Sequence, residues 1–272
     1  MDFQIEMRGP SLGSRGSYGA GETRCRGVPD RRPLESCYAC ASVGVVVSGR
    51  FDYRSPTGTL TAVPGTVLLG NSHEEFAYRY HDTASVRRAV VAFGTELLEE
   101  IADSCGCDPR FATAALAPSR RTTHLYGAIR RLAAVESPLE ETVFVVAAAA
   151  LATGGNKQPG IGAARRRHVL DVARYLDRAY AKPITLDAMA TMARLSRFHF
   201  IRAFRAVTGE NPRQYLIAAR LRAAADRLLD TREPITAIAL NVGFNDLSHF
   251  NATFRRTFGV APCAWRSPTA FP

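Results

Sequence analysis

Between Cys40 and Phe93 the apolar residues come in short bursts. "ASVGVVVSG", "RFDYRS", "GTLTAV", "GTVLLG", "EEFAYRY" and "VRRAVVAF" are each β-prone, and Gly49, Pro56, Gly58, Pro64, Gly65, Gly70 and Asn71 punctuate them. Short strands at close, regular spacing predict an antiparallel sandwich or barrel. Residues 1 to about 35 precede them. They are rich in Gly, Arg, Ser and Pro, which predicts a loose arm. After Phe93 the period lengthens, and helices are predicted over about 95–104, 122–135 and 139–152. Leu125, Ile129 and Leu132 line one face of the second; Val143, Val146 and Ala150 line one face of the third. Such faces can pair two copies of the chain or cover the sheet of their own domain. "TGGNKQPGIGA", residues 153–163, is a linker by composition.

Beyond the linker the signals are helical. "ARRRHVLDVARYLDRAY" puts Val169, Val172, Ala173 and Leu176 on one side. "ITLDAMATMARL" forms a short helix with Thr185 as its N-cap, and "SRFHFIRAFRAVTG" the next, capped by Ser196. "NPRQYLIAARLRAAADRLLD" predicts a long helix ending near Asp230, and "ITAIALNV" another short one. Gly243 can then take a positive φ and stop that short helix. Asn245 or Asp246 caps the last helix, whose core side carries Leu247, Phe250, Phe254 and Phe258. An internal echo runs at an offset of 50 residues. Phe200, Phe204, Gly209, Pro212 and Tyr215 answer Phe250, Phe254, Gly259, Pro262 and Trp265. One helix-turn-helix unit is thus present twice, joined by the long helix. Two such units can set two helices in successive major grooves, roughly 34 Å apart.

Charge sharpens this picture. The formal charge is +10, and residues 163–272 hold 18 basic against 8 acidic side chains, while residues 1–162 hold 17 of each. Seventeen of those 18 basic residues are arginine, which suits forked contacts to phosphate or guanine. One neutral domain and one that faces a polyanion are expected. No apolar run is long enough to span a membrane, and the first residues lack a signal-peptide core, so a cytoplasmic location is expected. The organisation read from composition is an arm over 1–35, a β-rich domain over 36–152, a linker over 153–163 and a helical domain over 164–268.

The duplicated unit resembles the DNA-binding domain of the AraC/XylS family of bacterial transcription regulators, from about Arg165 to Arg266. "IALNVGFNDLSHFNATFRRTFGVAPCAWR" is similar to the family signature nearly throughout, with Gly243-Phe244, Phe250, Phe254, Phe258-Gly259, Pro262 and Trp265-Arg266 in place. The first unit departs once. Arg194 stands where many members carry a turn glycine, which predicts a less tight turn. The β-rich segment is similar to the cupin-like sensing domains of many members, with "VPGTVLLGN", Val63 to Asn71, resembling their proline-glycine turn and strand. The resemblance implies an α+β chain. Its N-terminal part is a cupin-like jelly roll with two following helices, and its C-terminal part is all-α. It implies double-stranded DNA and a small-molecule effector as partners, RNA polymerase where the protein activates, a homodimer, and no cofactor.

The interface residues follow from the helical wheel and the family positions. On the first recognition helix Phe198, Arg202 and Arg205 share the face opposite the core, with Arg197 and His199 near it and Ile201 at a flank. Arg202 is the leading base contact, because arginine reads guanine O6 and N7 together; Phe198 suits a thymine methyl. On the second helix Ser248, His249 and Asn251 are placed at base edges and Arg255 and Arg256 on phosphates. Leu247, at the start of that helix, is counted with this set. Ala252 stands where the first unit has Arg202, so the second helix is expected to discriminate less.

Alternation along the strands places Val45, Val47, Phe51 and Phe76 around an effector pocket. Cys37, Cys40, Cys105 and Cys107 could supply thiolates to a soft metal or form a redox pair. Yet Cys37 to Cys40 enters a strand, and the two pairs are far apart in sequence. His73, His81 and His124 lack the His-x-His plus Glu cluster of metal-using cupin enzymes. The expectation is therefore no metal, no catalytic residue and no enzyme. The competing readings are a cupin-like enzyme or metal/redox sensor carrying a DNA-binding module, and a DNA-bending structural protein.

Overall fold

The computed structural model describes residues 4–8, 18–26, 33–80, 85–134, 140–152 and 163–266. The chain divides into two compact units, Met1–Ala117 with Leu125–Asn156, and Pro118–His124 with Lys157–Pro272. The expected boundary near the linker is therefore displaced at one short segment. Pro118–His124 joins the second unit, where Arg222 Nη1 donates to Thr123 Oγ1 at 3.3 Å.

The first unit is a sandwich of two antiparallel sheets with helices on one outer face. Its elements are β1 (Gln4–Arg8), β2 (Tyr18–Arg26), β3 (Leu34–Cys37), β4 (Ala41–Ser48), β5 (Phe51–Ser55), β6 (Gly58–Ala62), β7 (Val67–Gly70), β8 (Glu75–Tyr80), β9 (Ser85–Phe93), α1 (Thr95–Cys105), β10 (Ala115–Leu116), α2 (Arg120–Ala134, from Leu125 onward) and α3 (Glu140–Ala152). One sheet runs β1-β2-β9-β4-β7-β10 and the other β3-β8-β5-β6. The 1–35 stretch is not a loose arm where it is described. β2 pairs with β9 over nine residues, from Tyr18↔Phe93 to Arg26↔Ser85, and β1 pairs with β2. The glycines and charges of "YGAGETRCR" hide that strand, whose Tyr18, Ala20, Thr23 and Cys25 are all buried.

Two apolar layers result. Val43, Val45, Val47, Val67, Leu69, Ala89, Val91 and Phe93 pack on the side of the first sheet that meets α1, α2 and α3. Cys25, Val46, Leu68 and Val86 face the other way, against Phe51, Tyr53, Phe76, Tyr78 and Tyr80 of the second sheet. The helices cover the sheet because a sheet with an apolar outer face must bury it against something. Leu125, Ile129 and Leu132 of α2 and Val143, Val146 and Ala150 of α3 are all in that layer. The faces read as a pairing seam are thus already spent inside their own domain.

The second unit holds α4 (Ala163–Arg178), α5 (Leu186–Met192), α6 (Arg197–Thr208), α7 (Pro212–Asp230), α8 (Ile235–Asn241), α9 (Leu247–Phe258) and α10 (Pro262–Arg266). It has two cores joined by α7. Tyr215 and Leu216 lie in the first with Val172, Phe200 and Phe204; Leu221, Ala225 and Leu228 lie in the second with Phe250, Phe254 and Trp265. The echo is physical. Tyr215 packs edge-on against Phe204, with ring centroids 5.4 Å apart, and Trp265 against Phe254 at 5.7 Å. Trp265 Nε1 donates to the Ala225 carbonyl at 3.2 Å, and Tyr215 Oη to Asp177 Oδ2 at 2.9 Å. Asp177 also accepts from Arg222 Nη2 at 3.1 Å. Among the described residues no helix is long and apolar enough to cross a membrane.

Candidate nucleic-acid interface

Each recognition helix is set by a tight turn and a cap. In the first unit Arg194 N donates to Thr191 O at 2.9 Å and Leu195 N to Ala190 O at 3.0 Å. In the second, Gly243 N donates to Leu240 O and Phe244 N to Ala239 O, both at 2.9 Å. The two turns make the same bonds, and Arg194 itself takes the left-handed conformation at φ 55°, as Gly243 does at 97°. The first turn is therefore as tight as the second, contrary to the expectation from Arg194. The reason is room. Arg194 is exposed, whereas a Cβ on Gly243 would meet Arg220 Nε at 2.8 Å and the Ala181 carbonyl oxygen at 3.0 Å. Only the second turn excludes a side chain. The repeat offset is 49 residues from α5 to α8 and 50 from α6 to α9, because Asn245 is an extra residue in the second turn. Ser196 caps α6, and Asp246 caps α9 by accepting from Ser248 N and His249 N.

On α6, Phe200, Ala203, Phe204 and Val207 are buried. Arg197, Phe198, His199, Arg202 and Arg205 are exposed and Ile201 is half-buried. Phe198 is 71% exposed, an aromatic ring left on the surface with His199 as its ring neighbour. The arginines differ in state. Arg197 is held by Asp187, whose Oδ1 accepts from Nε at 2.8 Å and whose Oδ2 accepts from Nη2. The hydrogen bond from Arg197 holds the Asp187 carboxyl below its ordinary range. Among the described residues no carboxylate pairs with Arg202 or Arg205, so their guanidiniums stay available. His199 Nδ1 lies 2.8 Å from the capping Ser196 Oγ.

On α9, Phe250, Thr253, Phe254 and Thr257 are buried. Ser248, His249, Asn251, Ala252, Arg255 and Arg256 are exposed, and Leu247 is 40% exposed at the helix start. The polar and charged residues of each set lie on the outer face of their helix, while Ile201 is half-buried and Leu247, expected on the core side, is exposed because it sits at the helix start. Thr253 and Thr257 were missed as core residues. Their hydroxyls disguise them, but their spacing of four residues is the signal that could have found them.

The proposed effector-lining residues are not brought together. Phe51 and Phe76 face the interior of the sandwich, while Val45 and Val47 point to the helices. β4 is apolar on both faces, so its alternation carries no phase, and Val46 is its inward residue. A surface groove of about 550 Å³ lies beside β3, β5 and β8, lined by Glu35, Cys37, Arg54, Glu75 and Phe76 among others. The six cysteines are free, and burial pushes the Cys40 thiol up. Among the described residues no three His, Cys, Asp or Glu side chains converge as a metal site.

Both parts of the chain match models of known families. A helix-turn-helix domain model matches residues 189–267, and an AraC-like ligand binding domain model matches residues 39–148. Regulatory protein SoxS of Escherichia coli (strain K12) is 31% identical over 98 residues, which is 36% of this chain and 92% of SoxS. The chain belongs to the AraC/XylS family. Other AraC/XylS-type relatives match over less of their length. The MmsAB operon regulatory protein of Pseudomonas aeruginosa is 28% identical over 83 residues, 30% of this chain, so the chain spans 27% of that protein. The DNA-binding domain of AdpA, solved in complex with a target DNA, is 28% identical with a TM-score of 0.36; the match covers 37% of this chain and 90% of that one. ToxT from Vibrio cholerae is 13% identical with a TM-score of 0.38, covering 93% of this chain and all of ToxT, 100%.

Proposed function

We propose that this AraC/XylS-type chain is a cytoplasmic, sequence-specific transcription regulator whose first unit senses a small-molecule effector. One observation carries the DNA-binding part. Two capped helices, built alike, each turn outward arginines that no carboxylate meets among the described residues, Arg202 and Arg205 on one and Arg255 and Arg256 on the other, in residues 163–272, which hold the whole +10 excess. Arg202 and Phe198 read bases, with Ile201 at their edge. Arg205, Arg255 and Arg256 hold phosphates, Arg197 lies beside them clasped by Asp187, and Ser248, His249 and Asn251 read the second groove beside Leu247. RNA polymerase is a partner where the protein activates, and a second copy of the chain is a partner on paired half-sites.

The sensing part is supported by the match of residues 39–148 to a ligand binding domain and by the aromatic interior between the sheets. The DNA-binding part is tested on the full chain. Selection from a randomised duplex library should return a motif with two half-sites about one helical turn apart. Its affinity should fall with log salt at roughly −0.9 per phosphate contact. Recovery of no motif above random sequence would reject sequence-specific regulation.

A further inference from the structure

Two adjacent arginines on β9 have different fates. Successive strand residues point to opposite faces. Arg87 therefore faces the helix side, where Nη2 meets Glu22 Oε2 at 3.1 Å. Arg88 faces the sandwich interior and is only 8% exposed. Two other buried arginines, Arg130 and Arg222, are met by Glu22 and Asp177. Arg88 has no such partner: among the described residues no carboxylate reaches it. Its Nε donates to Thr23 Oγ1 at 3.2 Å and its Nη1 to Tyr78 Oη at 2.6 Å. Its guanidinium lies 4.8 Å from the Tyr78 ring centroid and 5.9 Å from that of Phe51. A buried charge ordinarily needs a paired countercharge; here ring faces, hydroxyls and the Cys25 thiol stand around it.

The surroundings are rich in donors. Tyr38 Oη and Tyr53 Oη are 2.8 Å apart. Burial pushes the Tyr53 phenol up to about 12 and raises that of Tyr38, against the lowering effect of the Arg88 charge on both. A guanidinium is donor-only and a carboxylate acceptor-only, so the missing complement is an anion that takes the fork. Space for its body is linked to Tyr38. That residue comes from the connection after β3, and its ring packs tilted at 49° against Phe76, with centroids 4.2 Å apart. The ring also sits where Gly70 has no side chain: a Cβ there would lie 2.2 Å from Tyr38 Cζ. Moving one connecting-loop ring outward frees a ring-sized volume against bare backbone.

The geometry points to a receptor site for a small monocarboxylate with an apolar body, its carboxylate held by Arg88 and Tyr78 and its body against Phe51 and Phe76 in place of Tyr38. This rests on the reading of the first unit as the sensing domain.

The test uses the full chain and two matched probe sets: benzoate, phenylacetate, 3-phenylpropanoate and hexanoate, and the primary amides of the same acids. Affinity is read by calorimetry and by the shift in melting temperature at constant ionic strength. At least one carboxylate should bind saturably and its amide should not. Arg88→Met should weaken that carboxylate by about tenfold to a hundredfold, the loss expected for a hydrogen bond to a charged group. Tyr38→Ala should tighten it by about threefold or more, because the site no longer waits on a minor open state. If Arg88→Met does not fold, the Tyr38→Ala result decides the location, and unchanged or weaker binding overturns the site. Carboxylate binding that survives Arg88→Met also overturns it. If only the amides bind, the anion assignment fails while small-molecule sensing stands. If no probe binds wild type or Tyr38→Ala, the carboxylate site is rejected; native mass spectrometry of the full chain after exposure to cell extract then judges the sensing reading separately.

Discussion

Asp187 on α5 clasps Arg197 at the start of α6, with Oδ1 accepting from Nε at 2.8 Å. The equivalent positions of the second unit are Thr236 and Leu247, so only the first unit carries this exposed ion pair. The pair occupies a guanidinium at the very end of a recognition helix. Asp187→Asn should release it toward a phosphate. The full chain should then bind random duplex DNA more tightly, with a salt slope steeper by roughly 0.9. A titration over salt checks this, and an unchanged slope would mean that Arg197 does not reach the backbone of DNA.

The two turns predict opposite signs for one kind of exchange. Arg194 holds φ 55° with its side chain in solvent. The left-handed conformation costs an L-residue about 1–2 kcal/mol, while glycine loses roughly 0.5–1 kcal/mol in backbone entropy. Arg194→Gly should therefore stabilise the second unit by about 0.5–1 kcal/mol. Gly243→Ala should do the reverse, by about 2–3 kcal/mol, since strain adds to displacement of Arg220, whose Nε donates to the Tyr180 carbonyl at 2.8 Å. Urea melts of the two variants measure both; destabilisation by Arg194→Gly would remove the strain argument.

What the sequence disclosed was what short range decides. Ser196, Asp246 and Thr185 are caps because they immediately precede an apolar-periodic run, and they cap in the structure. The exposed sets on α6 and α9 follow from a phase that Phe200 and Phe204, Phe250 and Phe254 set firmly; Ala203 is buried, as that phase requires. What stayed hidden depends on partners distant in the chain. β2 reads as a polar, glycine-rich arm until β9 pairs with it from far along the chain, from Tyr18↔Phe93 to Arg26↔Ser85. Val45 and Val46 are both apolar, so only the packing of helices on one side and aromatic rings on the other tells them apart. Arg87 and Arg88 look alike as letters, and the absence of a second Glu22 on the inner face is a fact of three dimensions.

The Asp177 carboxyl predicts a pH dependence. Burial raises its pKa to about 6, against the lowering effects of the Arg222 charge and of hydrogen bonds from Tyr215 and Arg222. The ordinary value is 3.8, so between roughly pH 4 and pH 6 the folded state holds a proton that the unfolded chain releases. This group's contribution to stability therefore falls as pH rises through that window. Asp177→Asn removes the titration and leaves Arg222 without its countercharge. The variant should be less stable than wild type at every pH, with the gap narrowing from pH 4 to pH 6. Melting temperatures of both proteins across that range check it, and a gap that widens with pH would show the carboxyl to be depressed by Arg222 instead.

Arg202 and Arg255 both stand exposed without a carboxylate among the described residues, yet they should fail differently when removed. Arg202 lies on the α6 face with Phe198 and Arg205, at the turn of the helix that can enter a groove. A forked contact to guanine discriminates against the wrong base by about 1–3 kcal/mol. Arg202→Ala should lose about that much on the cognate site and relax preference at one position of the motif. Arg255 lies in the last turn of α9, after the turn that bears Ser248 and Asn251. A phosphate contact carries no sequence information, so Arg255→Ala should weaken cognate and random DNA by the same factor and reduce the salt slope by roughly one contact. Ala252, the counterpart of Arg202, offers no fork, which is why the first helix should dominate specificity. Selection from one randomised library by wild type and by each variant separates these outcomes. A motif unchanged by Arg202→Ala would show that Arg202 holds a phosphate, and the discrimination would then pass to Phe198 on α6 or to Ser248, His249 and Asn251 on α9.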